Sequence, residues 1–108
     1  AVVLYGEPGT RNELEIAEHL SENGLKKPVV ALLAGYFQEA YPPEMSFGHA
    51  AAMIGNGDES ASAKRKALEA AGALVARSPA HVAELLAKAG VSPTLPLAEL
   101  AEARTKSA

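Results

Sequence analysis

Short apolar runs alternate along this chain with longer stretches whose apolar residues recur at helical spacing. Val2 to Tyr5 is continuously apolar and ends at Gly6-Glu7-Pro8-Gly9, which predicts a buried strand and its exit loop. Thr10-Arg11-Asn12-Glu13 follows with the spacing of a capping box, in which the threonine caps a helix and the glutamate bonds back to the threonine amide. Leu14, Ile16, Ala17 and Leu20 then share one arc, and Gly24 suits a left-handed helix end. Pro28 to Ala34 (PVVALLA) is apolar without alternation, as in a parallel strand covered on both faces. Gly35 to Gly57 is long and irregular. Asp58 to Ala71 reads as a second helix capped by Asp58 and closed by Gly72, and Ala73 to Ala76 as a third strand. Ser78-Pro79 opens a third helix, with serine as cap and proline in the first turn. Val82, Leu85, Leu86 and Ala89 form its apolar face, and Gly90 ends it.

Strand and helix thus alternate three times, the pattern of βαβ crossovers around a parallel sheet. An α/β fold with flanking helices is expected. Open doubly wound sheets usually hold about five strands or more. Three strands, and a start inside a strand without methionine, point to one portion of a larger domain over residues 1–90. Residues 91–108 (VSPTLPLAELAEARTKSA) read as an extended or weakly helical tail.

Composition narrows the function classes. At 108 residues, 48% of them hydrophobic, with a net charge of −3, the chain is one domain or less and suited to packing a core. A mildly acidic chain without a basic stripe argues against general nucleic-acid binding. No apolar run approaches the roughly 20 residues that span a bilayer. The sequence has no cysteine, which excludes disulfides, thiolate metal sites and cysteine catalysis and fits a reducing cytoplasm. With no second histidine near His49, a transition-metal site is not expected.

Candidate chemistry gathers at one place. In open α/β sheets ligands sit outside the carboxyl ends of the strands. Glu7 follows the first strand and the loop containing His49 follows the second, so the two side chains fall at one edge. A glutamate that accepts a hydrogen bond from one ring nitrogen fixes the tautomer and leaves the other nitrogen as a nucleophile. The plainer alternative is a glutamate in a turn and an unrelated loop histidine. Small residues surround His49 in SFGHAAAMIGNG. Gly48 permits close backbone approach, while Ala50 and Ala51 leave room beside the ring for a bulky charged group. A tight turn into a buried alanine helix reads the same way. Gly55-Asn56-Gly57 is a weak match to a phosphate nest, and Asp58 there opposes an anion. His19 falls on a solvated helix face, His81 in a structural first turn, and Lys64-Arg65-Lys66 on a solvated helix face.

Five segments in order resemble one family. Gly6-Glu7 follows a strand, Lys27-Pro28-Val29-Val30 opens the next, and Gly48-His49-Ala50 comes after it. Ala67-Leu68-Glu69-Ala70-Ala71-Gly72 then precedes a strand ending in Arg77-Ser78. Together they resemble the α subunit of succinyl-CoA synthetase and the matching region of ATP-citrate lyase, from about Val2 to Ala89. The resemblance implies a flavodoxin-like fold, of which residues 1–90 would be the C-terminal portion. It also implies a ligase that joins a carboxylic acid to coenzyme A at the expense of ATP or GTP, through an acyl phosphate and a phosphohistidine. The phosphorylated histidine of the family falls on His49 and the glutamate bonded to it on Glu7, with Gly48, Ala50 and Ala51 lining the phosphohistidine loop. Coenzyme A, nucleotide and magnesium would be used by the parent enzyme, and none would be bound by this segment alone. The implied partners are the remainder of an α-type subunit, a nucleotide-grasp subunit or domain, and the acid substrate.

The sequence departs from the family in places. Gly9-Thr10 stands where the family usually has Gly-Gly, and Ala51 where its Gly-His-Ala motif usually continues with glycine. Tyr36 to Phe47 (YFQEAYPPEMSF) lacks the basic residues common in the succinyl enzymes, which leaves the acid open. Two functions of different class follow: a phosphoryl carrier within a CoA ligase, or a non-catalytic flavodoxin-like module serving assembly or ligand binding.

Overall fold

The computed structural model describes residues 1–42, 45–48, 57–95 and 97–106. Strands β1 (Val2–Gly6), β2 (Val29–Leu33) and β3 (Leu74–Ala76) form a parallel sheet in the order β1-β2-β3. Val3 pairs with Val30, and Val30 with Leu74. The helices are α1 (Asn12–Asn23), α2 (Ala61–Ala70), α3 (Pro79–Lys88) and α4 (Leu97–Lys106), with 3-10 turns at Tyr36–Ala40 and Gly57–Glu59. The alternation expected from the apolar pattern is therefore present, and the sheet is parallel throughout.

Side-chain alternation in β2 sends its residues into two cores. Val29, Ala31 and Leu33 meet Ala17 of α1 and Leu68 of α2 on one face. Val30, with Leu32 beside it, meets Leu85, Val82 and Leu86 of α3 on the other. The continuous apolarity of β2 reflects this cover on both sides. The apolar arc foreseen for residues 82–89 also faces inward, with Leu85 buried.

Two expectations about burial need correction. The strand at Val2–Tyr5 is not buried: Val2 is 49% exposed, Val3 55% and Tyr5 65%. It lies at a sheet edge with β2 as its partner, and α3 packs over β2 and β3 instead. On α1, Ile16 falls outside the buried arc of Leu14 and Ala17 and is exposed.

The helix starts also differ. Thr10 does not cap α1, because Arg11 occupies the cap position without a side-chain bond. Asp58 does not cap α2. It lies in the 3-10 turn, and Ser60 accepts from the Ala63 amide at 3.1 Å. The Ser78 cap of α3 is as expected, with its hydroxyl accepting from the His81 amide. Residues 91–95 hold no helix or strand, and the described side chains of α4 are exposed. Among the described residues no helix is long and apolar enough to cross a membrane.

Candidate functional site at the carboxyl edge of the sheet

Glu7 lies immediately beyond the carboxyl end of β1, in the connection to α1. The strand register places Gly6 opposite Leu33, so the exit loop of β1 and the chain leaving β2 emerge together. The Ala34 amide ties them by donating to the Gly6 carbonyl at 2.9 Å. Pro8 is fully buried and lies against Gly35. Farther along, the Gly9 amide donates to the Glu59 carbonyl at 3.0 Å. Glu7 itself is partly buried. The loop is therefore clamped by the chain that follows β2 and by the turn before α2.

The strongest clamp comes from Lys64. Read as part of a solvated basic face, it is instead fully buried, while Arg65 and Lys66 are exposed. Its ammonium donates to the Glu7 carbonyl at 2.7 Å and to the Gly9 carbonyl at 2.6 Å. Its third partner is the carboxylate of Glu13. An ammonium has three donors, and all three are used. Glu13 is itself buried at 7% exposure, so the capping-box role expected of it gives way to the ion pair. Gly6 makes that approach possible: a Cβ there would stand 2.9 Å from Glu13 Oε1 and 2.7 Å from a Leu33 methyl. Breaking such a buried pair from one side typically costs about 3–5 kcal/mol, because the remaining charge is left in a medium that solvates it poorly.

The chain after β2 is anchored in turn. The Ser62 hydroxyl of α2 donates to Glu39 at 2.8 Å. Tyr36 packs on the core, and burial pushes its phenol pKa up while the nearby Arg65 guanidinium pulls it partly back. Gln38 is buried, and among the described residues its Oε1 finds no hydrogen-bond partner. Phe47 meets Phe37 and Tyr41 edge-on, each with centroids 5.2 Å apart, an arrangement that suits aromatic quadrupoles. That contact fixes the chain just before Gly48. Gly48 has φ 147°, a conformation open to glycine and unfavourable for other residues, and its carbonyl accepts from the Ser46 hydroxyl at 3.2 Å.

His49, Ala50 and Ala51 lie outside the described residues, as do Gly55 and Asn56. Of the expected site, the structure thus positions Glu7 and Gly48. His19 is exposed on α1. His81 has the structural role expected of it, with its Nδ1 accepting from the Arg77 amide at 3.0 Å. Sequence reasoning missed Lys64 and Glu13. A signal was there, because Ala61, Lys64 and Leu68 fall on one helical arc and all three are fully buried.

Comparison with known proteins gives a consistent set. No protein-family model matches the chain. It is 49% identical over 88 residues to the succinate–CoA ligase [ADP-forming] subunit alpha 2 of Archaeoglobus fulgidus, covering 82% of this chain and 29% of that one. It is 43% identical over 77 residues to a probable ATP-citrate synthase of Dictyostelium discoideum, covering 71% of this chain and 12% of that one. Among solved structures, the ATP citrate lyase of Methanothrix soehngenii in complex with citrate and coenzyme A matches with a TM-score of 0.70 at 32% identity. The match covers 87% of this chain and 16% of that one. The chain spans less than a third of the length of these relatives.

Proposed function

From its homology to part of the succinate–CoA ligase α subunits and of the ATP-citrate synthases, we propose that this segment is the phosphoryl-carrier portion of a nucleotide-dependent acid–CoA ligase. His49 is the carrier and Glu7 orients it. The observation that carries the reading is the clamped loop at the carboxyl edge, which holds Glu7 beside the chain that leads from β2 toward His49.

The chemistry follows from the residue types. Glu7 accepts from one ring N–H, so the other nitrogen keeps its lone pair. That lone pair attacks the terminal phosphorus of a nucleoside triphosphate, the N–P bond forms, and the diphosphate leaves. A phosphoramidate retains a high transfer potential, so a carboxylate of the acid substrate can take the phosphoryl group and restore the imidazole. The coenzyme A thiol then displaces phosphate from the acyl phosphate. Gly48, Ala50 and Ala51 give the loop low bulk around the phosphorylated ring. The nucleotide, with its magnesium, and coenzyme A are substrates held by the rest of the ligase.

The test uses the full-length protein that carries this segment. Incubation with nucleoside triphosphate and magnesium is expected to place an acid-labile, base-stable phosphate on His49. His49→Asn should abolish both the label and turnover while the protein still folds. Glu7→Gln should be milder. A hydrogen bond to a charged group is worth about 1.5–3 kcal/mol, which corresponds to a loss of roughly one to two orders of magnitude in rate. Full ligase activity in His49→Asn would instead identify a non-catalytic module.

A further inference from the structure

We propose that Lys64 and Glu13 form a positioning pair for Glu7, holding the β1 exit loop in the one conformation that aims the Glu7 carboxylate. This rests on the reading of Glu7 and His49 given above.

The pair holds the loop backbone as well as its own two charges. Lys64 reaches across from α2 to grip the carbonyls on either side of Pro8, those of Glu7 and Gly9. Its remaining donor meets Glu13, the second residue of α1. One side chain therefore joins α1, α2 and the backbone of the residue whose side chain orients the carrier. A loop carbonyl held by a buried ammonium has little freedom to rotate its peptide plane, and rotation of that plane would redirect the Glu7 side chain. The loop needs such a hold because Gly9 and Thr10 both adopt positive φ, a region that glycine alone enters readily. Glu13 fixes the ammonium from the third side, in a place closed to water. The pair thus acts on the reaction through Glu7, without touching substrate.

A double-mutant cycle in the full-length enzyme separates positioning from bulk stability. The variants are Lys64→Met, Glu7→Ala and the two combined. The readouts are the single-turnover rate of phosphohistidine formation, the KM for nucleotide and the thermal midpoint. Lys64→Met is expected to slow phosphorylation by about tenfold or more, with KM for nucleotide held within about twofold. In the Glu7→Ala background the same change should cost less than about twofold, since residues acting through one another are not additive. Two results would overturn the positioning role and leave Glu7 intact: an unchanged rate in folded Lys64→Met, or a full additive loss in the combined variant. An unchanged rate in Glu7→Ala would overturn the reading of Glu7 itself, and the positioning role with it. Where Lys64→Met does not fold, Lys64→Met/Glu13→Gln replaces it in the same cycle. That variant leaves no buried charge without a partner, and the same outcomes apply.

Discussion

Thr10 is where a single residue most visibly works against the fold. Among the described residues it is the one non-glycine with positive φ, at 54°, and its side chain caps nothing. An L-residue in the left-handed region costs roughly 1–2 kcal/mol. Thr10→Gly removes that strain, although the unfolded chain gains freedom worth up to about 1 kcal/mol. A net stabilisation of about 0.5–1 kcal/mol is expected, read from a urea titration as a higher midpoint at constant slope. The mismatch also shows why the capping box misled. Thr10 and Glu13 have the right types and spacing, but Glu13 is drawn away by a lysine 51 positions later. No local pattern contains that partner. The position of Glu7 just beyond β1 was legible because Gly6-Glu7-Pro8-Gly9 marks the end of the apolar run. Lys64 was hidden among charged neighbours that are exposed.

At the scale of elements, the sheet and the helices around it followed from apolar periodicity and the turn residues between them, and the errors lie in the burial of β1 and in the helix starts. β2 reads correctly as a doubly covered strand, whereas the similar run of β1 is exposed. Composition reports how apolar a strand is, and its neighbours in space decide whether it is buried. The helix starts divide in the same way. Ser78 is followed by proline, a pair with one reading, but Asp58 and Ser60 compete within three residues and the hydroxyl wins. Ser60→Ala and Ser78→Ala should each cost about 1 kcal/mol, because an N-terminal amide loses its acceptor. Asp58→Ala should cost less, as its ion pair with Arg11 is exposed and such pairs are worth about 1 kcal/mol or below. Thermal melts of the three variants would rank them. An Asp58 effect larger than that of Ser60 would contradict the cap assignment.

For the molecule as a whole, the exposed β1 edge is the feature with most consequence. Among the described residues β1 pairs with β2 alone, and an edge strand with exposed Val3 and Tyr5 is a template for further pairing. Produced by itself, the 108-residue chain is expected to associate, measured as a mass above that of a monomer in light scattering. Val3→Lys should shift it toward monomer, as a charge on an edge strand opposes pairing. A monomer at all concentrations would show that β1 is not a pairing edge. The packing of the helices says where additional strands belong. α1 and α2 cover one face of the sheet, and the chain crosses to the opposite face with α3. Crossovers between parallel strands are almost always right-handed, so two helices on one face march the sheet from β1 to β3, and a helix on the other face reverses the march. A parallel strand joined to β3 through a helix on that face would be carried back across β2, and among the described residues the first lane without a strand is the one outside β1. The winding of the chain and the bare flank of Val3 and Tyr5 thus designate the same side for growth of the sheet.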